Sequence, residues 1–372
     1  MYKHWILLLL AAATLIASTP AHAKNYEVGS CIPSLPKFTT IQLAVSSVAP
    51  GSIIEVCPGT YFEQVTIAQP LTLRGVSSSN KDRPVIAPPP NGLAVNVTSI
   101  TGAKVAAQVL VQNLGPIGNV ILTGITVDGS TAEVPGCSST AFLAGIFYAS
   151  GTSGTINEMT TRKQQLPSCG YGIWVENGPG AKQSVTVENN SVHDVSWEGI
   201  FAFSNQTPST LAATIKGNFV NGLVYNQTTD IEAIGITGAV TGNVVTGGLV
   251  GISSGGAPGT PLTISGNALA DISIGVGIAI TDVTTVSSNK ISNVYTAFAF
   301  GGSGVSPGPT VTGNSTKNTT YVIEYGCTPN VSVKTNTFND SQSAFDHIPT
   351  ANSGLGVNSL YNIDTIQAST CP

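Results

Sequence analysis

Three stretches of the chain, VTVENNSVHDV (185–195), ATIKGNFVNGL (213–223) and LTISGNALADI (262–272), align with one another without gaps. Each has a β-branched residue three positions before a shared asparagine and an apolar residue two positions after it. Four further segments continue the alignment. The seven shared asparagines are Asn190, Asn218, Asn243, Asn267, Asn289, Asn314 and Asn336. Their intervals of 28, 25, 24, 22, 25 and 22 residues indicate a solenoid with one coil about every 24 residues.

A single segment of this kind cannot bury its own apolar face, so the coils must stack, with about 4.8 Å between strands. Stacking places like residues over like, and a column of asparagines can then pair amide to amide in the interior. A second strand with a Gly-Ile pair recurs in five segments. We expect its glycines to form another column, made of Gly172, Gly199, Gly235, Gly251 and Gly277.

The composition agrees with an all-β solenoid. Charged residues are 9% of the chain, against about 25% in an ordinary soluble domain. Glycine occurs 41 times and aromatic residues make up 6%. These values exclude a helical bundle, a coiled coil and a charged disordered chain. A net charge of −5 with few arginines also argues against a nucleic-acid partner.

The N-terminus has the pattern of a secretory signal peptide. Lys3 and His4 precede an apolar stretch (5–17), and Ala21-His22-Ala23 is a small-residue cleavage site. We expect cleavage after Ala23 and a secreted or extracytoplasmic protein without a transmembrane segment. Residues 24–372 are predicted to form one domain, with an inserted loop at about 130–169 and a C-terminal tail at about 341–372.

Six cysteines in an oxidising compartment predict disulfides. Fifteen pairings are possible, and position along the chain favours three of them. These are Cys31–Cys57, Cys137–Cys169 and Cys327–Cys371. A metal site is not expected, because no Cys-x-x-Cys spacing occurs and the outward acids are too dispersed for calcium. No cofactor is predicted.

The stretch FTTIQLAVSSVAPGSIIEVCPGTYFEQVTIAQPLTLRG (38–75) resembles the start of pectin-lyase-like right-handed parallel β-helix proteins. The resemblance implies a single right-handed parallel β-helix of about ten coils. It also implies a short N-terminal capping helix with Ile41, Val45 and Val48 on its apolar side. This superfold includes lyases, hydrolases, esterases, epimerases and non-catalytic surface proteins, so the resemblance implies a fold and not an activity.

The catalytic motifs of these families are not found in the sequence. Uronate lyases need cations, and after the signal peptide the only arginines are Arg74, Arg83 and Arg162. The Trp-x-Asp-His pattern of pectate lyases, the Gly-His-Gly of polygalacturonases and the Asp-Pro-His of mannuronan epimerases have no counterpart. Asp346-His347 lacks the tryptophan of the first pattern.

A candidate ligand site lies between residues 170 and 235. Trp174 and Phe201 follow Gly-Ile pairs on neighbouring coils, so they should stack on the outer surface as a platform for sugars. The predicted substrate-binding residues are Tyr171, Trp174, Glu176, Trp197, Glu198 and Phe201. Glu176 and Glu198 are offset by five residues, about 16 Å along the strand. That separation exceeds the roughly 5–9.5 Å of glycosidase acid pairs.

The candidate catalytic residues are His193, Asp230 and Glu232. The two acids would lie about 6.5–7 Å apart in an extended loop, which is compatible with inverting hydrolysis. His193 occupies an outward column in which the scaffold does not require a histidine. The sequence thus favours a secreted, carbohydrate-associated β-helix that binds or acts on polysaccharide through an outward face. A glycan hydrolase or lyase, and a non-catalytic cell-envelope or adhesion solenoid, stay open as alternatives.

Overall fold

The structure is a computed structural model. It describes residues 23–77, 82–112, 114, 118–134, 137, 140–166, 168–180, 182–223, 228–255, 262–272, 274–281, 284–301, 308–326, 330–347 and 356–367. The helix is α1 (Ile41–Ser47). The strands are β1 (Asn25–Val28), β2 (Lys37–Phe38), β3 (Ile53–Val56), β4 (Thr60–Phe62), β5 (Val65–Ile67), β6 (Leu71–Gly75), β7 (Val85–Ala87), β8 (Val97–Thr98), β9 (Lys104–Val111), β10 (Asn119–Thr123), β11 (Thr126–Asp128), β12 (Ala141–Tyr148), β13 (Ser153–Asn157), β14 (Thr160–Arg162), β15 (Gly170–Asn177), β16 (Gln183–Glu188), β17 (Ser191–His193), β18 (Glu198–Ser204), β19 (Leu211–Lys216), β20 (Phe219–Gly222), β21 (Thr229–Ile234), β22 (Thr237–Thr241), β23 (Val244–Gly247), β24 (Val250–Gly255), β25 (Leu262–Ser265), β26 (Ala268–Ala270), β27 (Val276–Ile280), β28 (Thr284–Ser287), β29 (Lys290–Phe300), β30 (Thr310–Thr312), β31 (Ser315–Glu324), β32 (Ser332–Lys334), β33 (Thr337–Asp346) and β34 (Ser359–Gln367).

The coils have three faces, each a stack of parallel strands. The first face is a sheet in the order β2-β1-β3-β6-β10-β13-β16-β19-β22-β25-β28-β30-β32. The second face contains β4, β7, β11, β14, β17, β20, β23 and β26, and the third contains β5, β9, β12, β15, β18, β21, β24 and β27. In the last coils β29, β31, β33 and β34 bend across both the second and the third face. The described exception to parallel pairing is β8, which pairs with β9 antiparallel.

The predicted asparagine ladder lies inside the coil, between the first and second faces. Each Asn Nδ2 donates to Oδ1 of the next Asn at 2.9–3.0 Å, from Asn190 to Asn336. Asn358 adds one more rung at the C-terminal end. The same amides also donate to a strand carbonyl of the preceding coil, as Asn267 does to Val240. Every polar atom of these buried side chains therefore has a partner, which removes the cost of burying them.

Two segments that the sequence assigns to irregular structure are wound as coils. The predicted inserted loop (about 130–169) contains β12, β13 and β14, and the predicted tail (about 341–372) contains β34. The first error arises because Met159 stands where later coils have the ladder asparagine; its backbone N–H donates to Asn190 Oδ1. Without the asparagine, the repeat is not visible in the sequence.

The predicted glycine column is wrong at one position. Strand β21 pairs Thr229 with Glu198 and Ile231 with Ile200, so Asp230 stands beside Gly199. Gly235 instead follows the end of β21 and has a φ of +61°. The length of the connection before β21 sets this register, and a gapless comparison of Gly-Ile pairs cannot reveal it.

The N-terminal end is closed by α1, as the resemblance implies. Its buried residues are Ile41, Ala44 and Val45, and the side chain of Thr40 caps its first turn. Two predicted disulfides, Cys31–Cys57 and Cys137–Cys169, are present. The predicted partners Cys327 and Cys371 lie outside the described residues.

Candidate functional site

Two adjacent columns of side chains point outward from the third face, and their register brings acids and aromatic residues together. Along one column Tyr171 pairs with Glu198, and along the other Trp174 pairs with Phe201 and Phe201 with Glu232. We call Tyr171, Trp197, Glu198, Phe201 and Glu232 the acid–aromatic cluster. Its members come from β15, β18, β21 and the residue before β18.

The carboxyl groups of Glu198 and Glu232 are hydrogen-bonded to each other. Burial, followed by the charge of Glu232, raises the pKa of Glu198 well above its usual range. Burial also raises the pKa of Glu232, while its hydrogen bond with Glu198 acts in the opposite direction. Both carboxyl groups therefore keep their protons to higher pH than an exposed glutamate does, and the shift is larger for Glu198.

Three further observations connect this pair to its surroundings. Burial and the charges of Glu198 and Glu232 raise the pKa of the Tyr171 phenol. The Trp197 indole interacts with both Tyr171 and Glu198. Oε2 of Glu198 is buried and accepts no hydrogen bond from a protein donor, whereas Glu232 is partly exposed.

The aromatic residues form a continuous group, but not the stacked, exposed platform that the sequence predicts. Trp174 and Phe201 lie on neighbouring coils with ring centroids 5.3 Å apart, and their planes are inclined by 67°. Trp174 is 3% exposed because Phe142 and Phe147 pack against it. Phe201 is half-buried and stacks on Phe203 with centroids 5.6 Å apart. The accessible aromatic surface is therefore shifted from Trp174 toward Phe201 and Phe203.

Sequence reasoning missed Phe203. It stands two positions after Phe201 on β18 and therefore points to the same side of the strand. It is also paired in register with Glu176 on β15. The alternation of EGIFAFS (198–204) carried this signal, since Phe201 and Phe203 both follow the Gly-Ile pair at outward positions.

Glu176 lies at the covered side of the group. Its Oε1 accepts a hydrogen bond from the backbone N–H of Ile100 at 2.9 Å, and its Oε2 has no partner. Burial raises the pKa of Glu176 to about 7, against the effects of the Ile100 N–H and the Trp174 indole. Glu176 is opposite Phe203, five residues from Glu198 along the strand, so the two acids are separated as the sequence predicts.

Asp230 points into the interior and not toward the acid–aromatic cluster. It is 0% exposed, and neither carboxyl oxygen has a hydrogen-bond partner of good geometry. The carboxyl lies against Gly222 and Gly248: an added Cβ would be 2.1 Å from Oδ1 at Gly222 and 2.6 Å from Oδ2 at Gly248. Asp230 and Glu232 are thus part of a strand and not of a loop, and the expected exposed acid pair is not formed.

Burial raises the pKa of Asp230 well above its usual range, so folding takes up a proton that the unfolded chain loses above pH about 3.9. The stability that neutral Asp230 contributes to the fold is complete below pH about 3.9 and falls as the pH rises above it. We expect Asp230→Asn to flatten this fall, by up to about 1.4 kcal/mol per pH unit. Urea unfolding across pH about 4–8 measures it.

The matched control for this pH series is Asp271→Asn, which removes a carboxyl from an exposed turn. Its pH profile should match that of the unchanged protein. An Asp230→Asn profile parallel to that of the unchanged protein over the whole range would contradict a neutral, buried Asp230.

His193 is on β17 of the second face, paired with Arg162 and Asn221. Its Nδ1 is 2.8 Å from Asp194 Oδ2. These partners belong to a different face from the acid–aromatic cluster. A role for His193 in chemistry at Glu232 stays a prediction without a contact to support it.

One group of possible metal ligands occurs within the part of the chain that the structure describes. It consists of Glu27, Cys31 and Cys57, whose ligand atoms lie within 4.8 Å of one another. The two sulfurs form a disulfide, and Glu27 Oε2 accepts hydrogen bonds from the backbone N–H groups of Cys31 and Ile32. The donors are therefore committed to structure. Among all residues that the structure describes, no helix is long and apolar enough to cross a membrane.

Comparisons with known proteins concern the coil architecture. The family described as "Right handed beta helix region" matches residues 117–237. A GH136 lacto-N-biosidase from Eubacterium ramulus superposes with a TM-score of 0.57 at 12% identity, covering 92% of this chain and 68% of that chain. A mannuronan C-5 epimerase A-module from Azotobacter vinelandii gives 0.43 at 17% identity, with 88% and 94% covered.

A polygalacturonase from Erwinia carotovora ssp. carotovora gives a TM-score of 0.41 at 11% identity, with 95% of each chain covered. No curated protein sequence matches the chain. At these identities the similarity concerns the fold alone. The family match and the similarity to the lacto-N-biosidase, together with the strand register, confirm the predicted single-stranded right-handed parallel β-helix.

Proposed function

We propose that this protein, a right-handed parallel β-helix of the pectin-lyase-like fold, binds carbohydrate at the acid–aromatic cluster of its third face. The observation that carries the proposal is the convergence of Phe201, Phe203 and Trp197 with the hydrogen-bonded pair Glu198 and Glu232. Partly accessible aromatic rings pack against the apolar faces of sugars, and carboxyl groups bind their hydroxyls. Glu232, which is partly exposed, is the carboxyl group of the pair that a sugar hydroxyl can reach.

The ligand class follows from the chemistry of the site and from the fold. A few polar groups beside an aromatic surface are the usual composition of a small-ligand site. The lacto-N-biosidase that shares the fold acts, by its name, on a glycan. Fold alone does not assign a function, so carbohydrate is the class that we would test first. The disulfides are consistent with the secreted, extracytoplasmic location that we propose for it.

We expect Phe201→Ala to weaken oligosaccharide binding roughly tenfold or more, since truncating a central aromatic side chain commonly costs more than 1 kcal/mol. Titration of a broad oligosaccharide panel, followed by calorimetry and by the fluorescence of Trp174 and Trp197, measures the change. The matched control is Phe219→Ala, because Phe219 is 44% exposed on the second face. Its affinity should equal that of the unchanged protein.

Two outcomes would overturn the proposal. One is the failure of every glycan in the panel to bind to folded protein. The other is equal loss of affinity in Phe201→Ala and Phe219→Ala, which would show that the ligand does not recognise the third face. A solenoid of the cell envelope or of an adhesion structure, without a small-ligand site, would then be the better interpretation.

The carboxyl pair favours a second candidate function, cleavage of the bound glycan. Glu198 holds a proton that could pass to a glycosidic oxygen, and Glu232 is the adjacent base, so the environments divide the acid and base roles. The hydrogen-bonded pair is closer than the roughly 5–9.5 Å of glycosidase acids, so a substrate would have to separate the two carboxyls. Asp230 and His193 do not face this pair.

Glu198→Gln tests the second candidate, because the amide keeps the shape of the side chain and cannot supply the proton. Where the unchanged protein releases product from a glycan, we expect the rate to fall about 100-fold or more. The control is Glu188→Gln on the first face, which pairs with Lys216 at 2.8 Å. Undiminished product release by Glu198→Gln would eliminate the proposed acid.

A further inference from the structure

The two outward columns of the third face continue beyond the acid–aromatic cluster. From Glu232 the register runs through Ser253, Ala279 and Ala299 to Glu324 and then to Asp346. In the other column, Glu198 is followed by Thr229, Val250, Val276, Thr296 and Tyr321. Three small side chains on successive coils thus separate two groups of acids.

The acids at the far end, Glu324 and Asp346, repeat the geometry of the Glu198–Glu232 pair. Glu232 lies one coil beyond Glu198 and three positions further along, and the two side chains meet. Glu324 has the same relation to Thr296, whose Oγ1 is 3.5 Å from Glu324 Oε2.

Asp346 likewise lies one coil beyond Tyr321 and three positions further along. The pKa of the Tyr321 phenol is raised, first by Tyr295 and by burial, and then by the charges of Asp346 and Glu324. We call the surface of Ser253, Ala279 and Ala299 between the two groups of acids the strip. The two columns therefore converge at both ends of the strip.

The strip between the two groups is low and partly accessible. Ser253, Ala279 and Ala299 are each half-buried, although large residues occupy the same column at Trp174 and Phe201. Glu232 and Glu324 are four coils apart, or about 19 Å. A ligand that contacts both groups must therefore be extended and must lie along the axis of the solenoid.

The charges of the strip restrict the ligand further. Among the described residues of the two columns, from Tyr171 to Asp346, no lysine or arginine occurs. His347 follows Asp346, and its Nδ1 is 3.1 Å from Asp346 Oδ2. At the near end Glu232 is partly exposed, and Glu198 lies beside it at 7% exposure. Carboxylates on a ligand would meet like charges here, whereas hydroxyl or ammonium donors would find acceptors.

From this arrangement we infer that the ligand is a linear glycan without carboxylate groups, which lies along the solenoid axis from the Glu198–Glu232 pair to Glu324. The inference rests on the proposed carbohydrate site and adds the class and the orientation of the chain. It sets this surface apart from one built for polyuronates, which would need cations along the strip. Neutral and amino-bearing glycans share the required chemistry of donor groups.

The experiment compares glucosamine, glucose and galacturonate oligomers from the dimer to the hexamer by calorimetry. We expect glucosamine or glucose oligomers to bind at least tenfold more tightly than galacturonate oligomers of equal length. Their affinity should rise with length until the chain reaches Glu324 and should then level off.

A substitution on the strip tests the orientation of the bound glycan separately from its chemical class. Ala279→Trp should abolish the gain in affinity between the dimer and the longer oligomers while leaving the dimer unaffected. The matched control is Ala268→Trp, since Ala268 is exposed on β26 of the second face. Ala299→Phe is a second variant of the strip for the case in which Ala279→Trp does not fold.

The outcomes distinguish this inference from the function on which it rests. If no glycan binds, the proposed carbohydrate site itself is wrong, and the inference fails with it. If glycans bind at the cluster but galacturonate oligomers bind as well as the others, the ligand class is wrong. If dimers bind as tightly as hexamers, or Ala279→Trp changes nothing, the ligand does not follow the strip.

Discussion

Replacement of Asn267 by leucine is expected to lower the free energy of unfolding by about 4 kcal/mol. Asn267 is 1% exposed in the middle of the ladder. Its Oδ1 accepts from the backbone N–H and from Nδ2 of Asn243, and its Nδ2 donates to Val240 O and Asn289 Oδ1, all at 2.9 Å. Leucine leaves these buried groups on both neighbouring coils without partners, and each costs about 1–3 kcal/mol.

Urea or thermal unfolding measures this loss, and Ser265→Ala is the control from the same coil. Ser265 points outward on the first face, so its replacement should change stability by no more than about 0.5 kcal/mol. Because each coil contacts only its neighbours, the damage should be centred on the coils on either side of Asn267. A leucine variant as stable as Ser265→Ala would mean that the ladder contributes little to folding.

Gly222→Ala is expected to destabilise the fold by about 3 kcal/mol, because the new methyl group would overlap the Asp230 carboxyl. The added Cβ would lie 2.1 Å from Asp230 Oδ1. The cause can be tested by Asp230→Gly, which restores the glycine that neighbouring coils have at this position. In the Asp230→Gly background, Gly222→Ala should cost much less than it does alone.

A double-mutant cycle of unfolding free energies gives the coupling between the two positions. Gly301→Ala is the control for glycine replacement as such, since its nearest neighbour would be Thr281 Cγ2 at an ordinary 3.6 Å. Equal destabilisation by Gly222→Ala with and without Asp230 would show that the two residues do not share one space.

The fold was predictable because its evidence repeats along the chain. One β-branched residue and one asparagine per coil recur at nearly constant intervals, and a stacked sheet converts that period directly into register. The same logic predicted that Trp174 and Phe201 are neighbours and that Glu176 is far from Glu198. Inference from the repeat failed where a coil lacks the ladder asparagine, as at Met159. It also failed where the connections between strands differ in length, as before Asp230.

The sequence named candidate site residues but did not predict how they are arranged. Tyr171, Trp197, Glu198, Phe201 and Glu232 were all candidates, whereas the hydrogen bond between Glu198 and Glu232 was not foreseen. That contact joins positions that are one coil apart and offset by three residues. The burial of Trp174 also depends on Phe142 and Phe147, which come from an earlier coil in a segment without the repeat.

The sequence by itself determined the period, the direction in which most side chains point and the interior ladder, because these depend on short-range alternation repeated in every coil. The tertiary structure alone decided which acid meets which, and whether an acid is inside or outside. Those outcomes depend on the register between coils and on the space left by neighbours. Asp230 is buried because Gly222 and Gly248 leave room for it. Glu232 meets Glu198 because β21 pairs with β18 in the register that places Thr229 opposite Glu198.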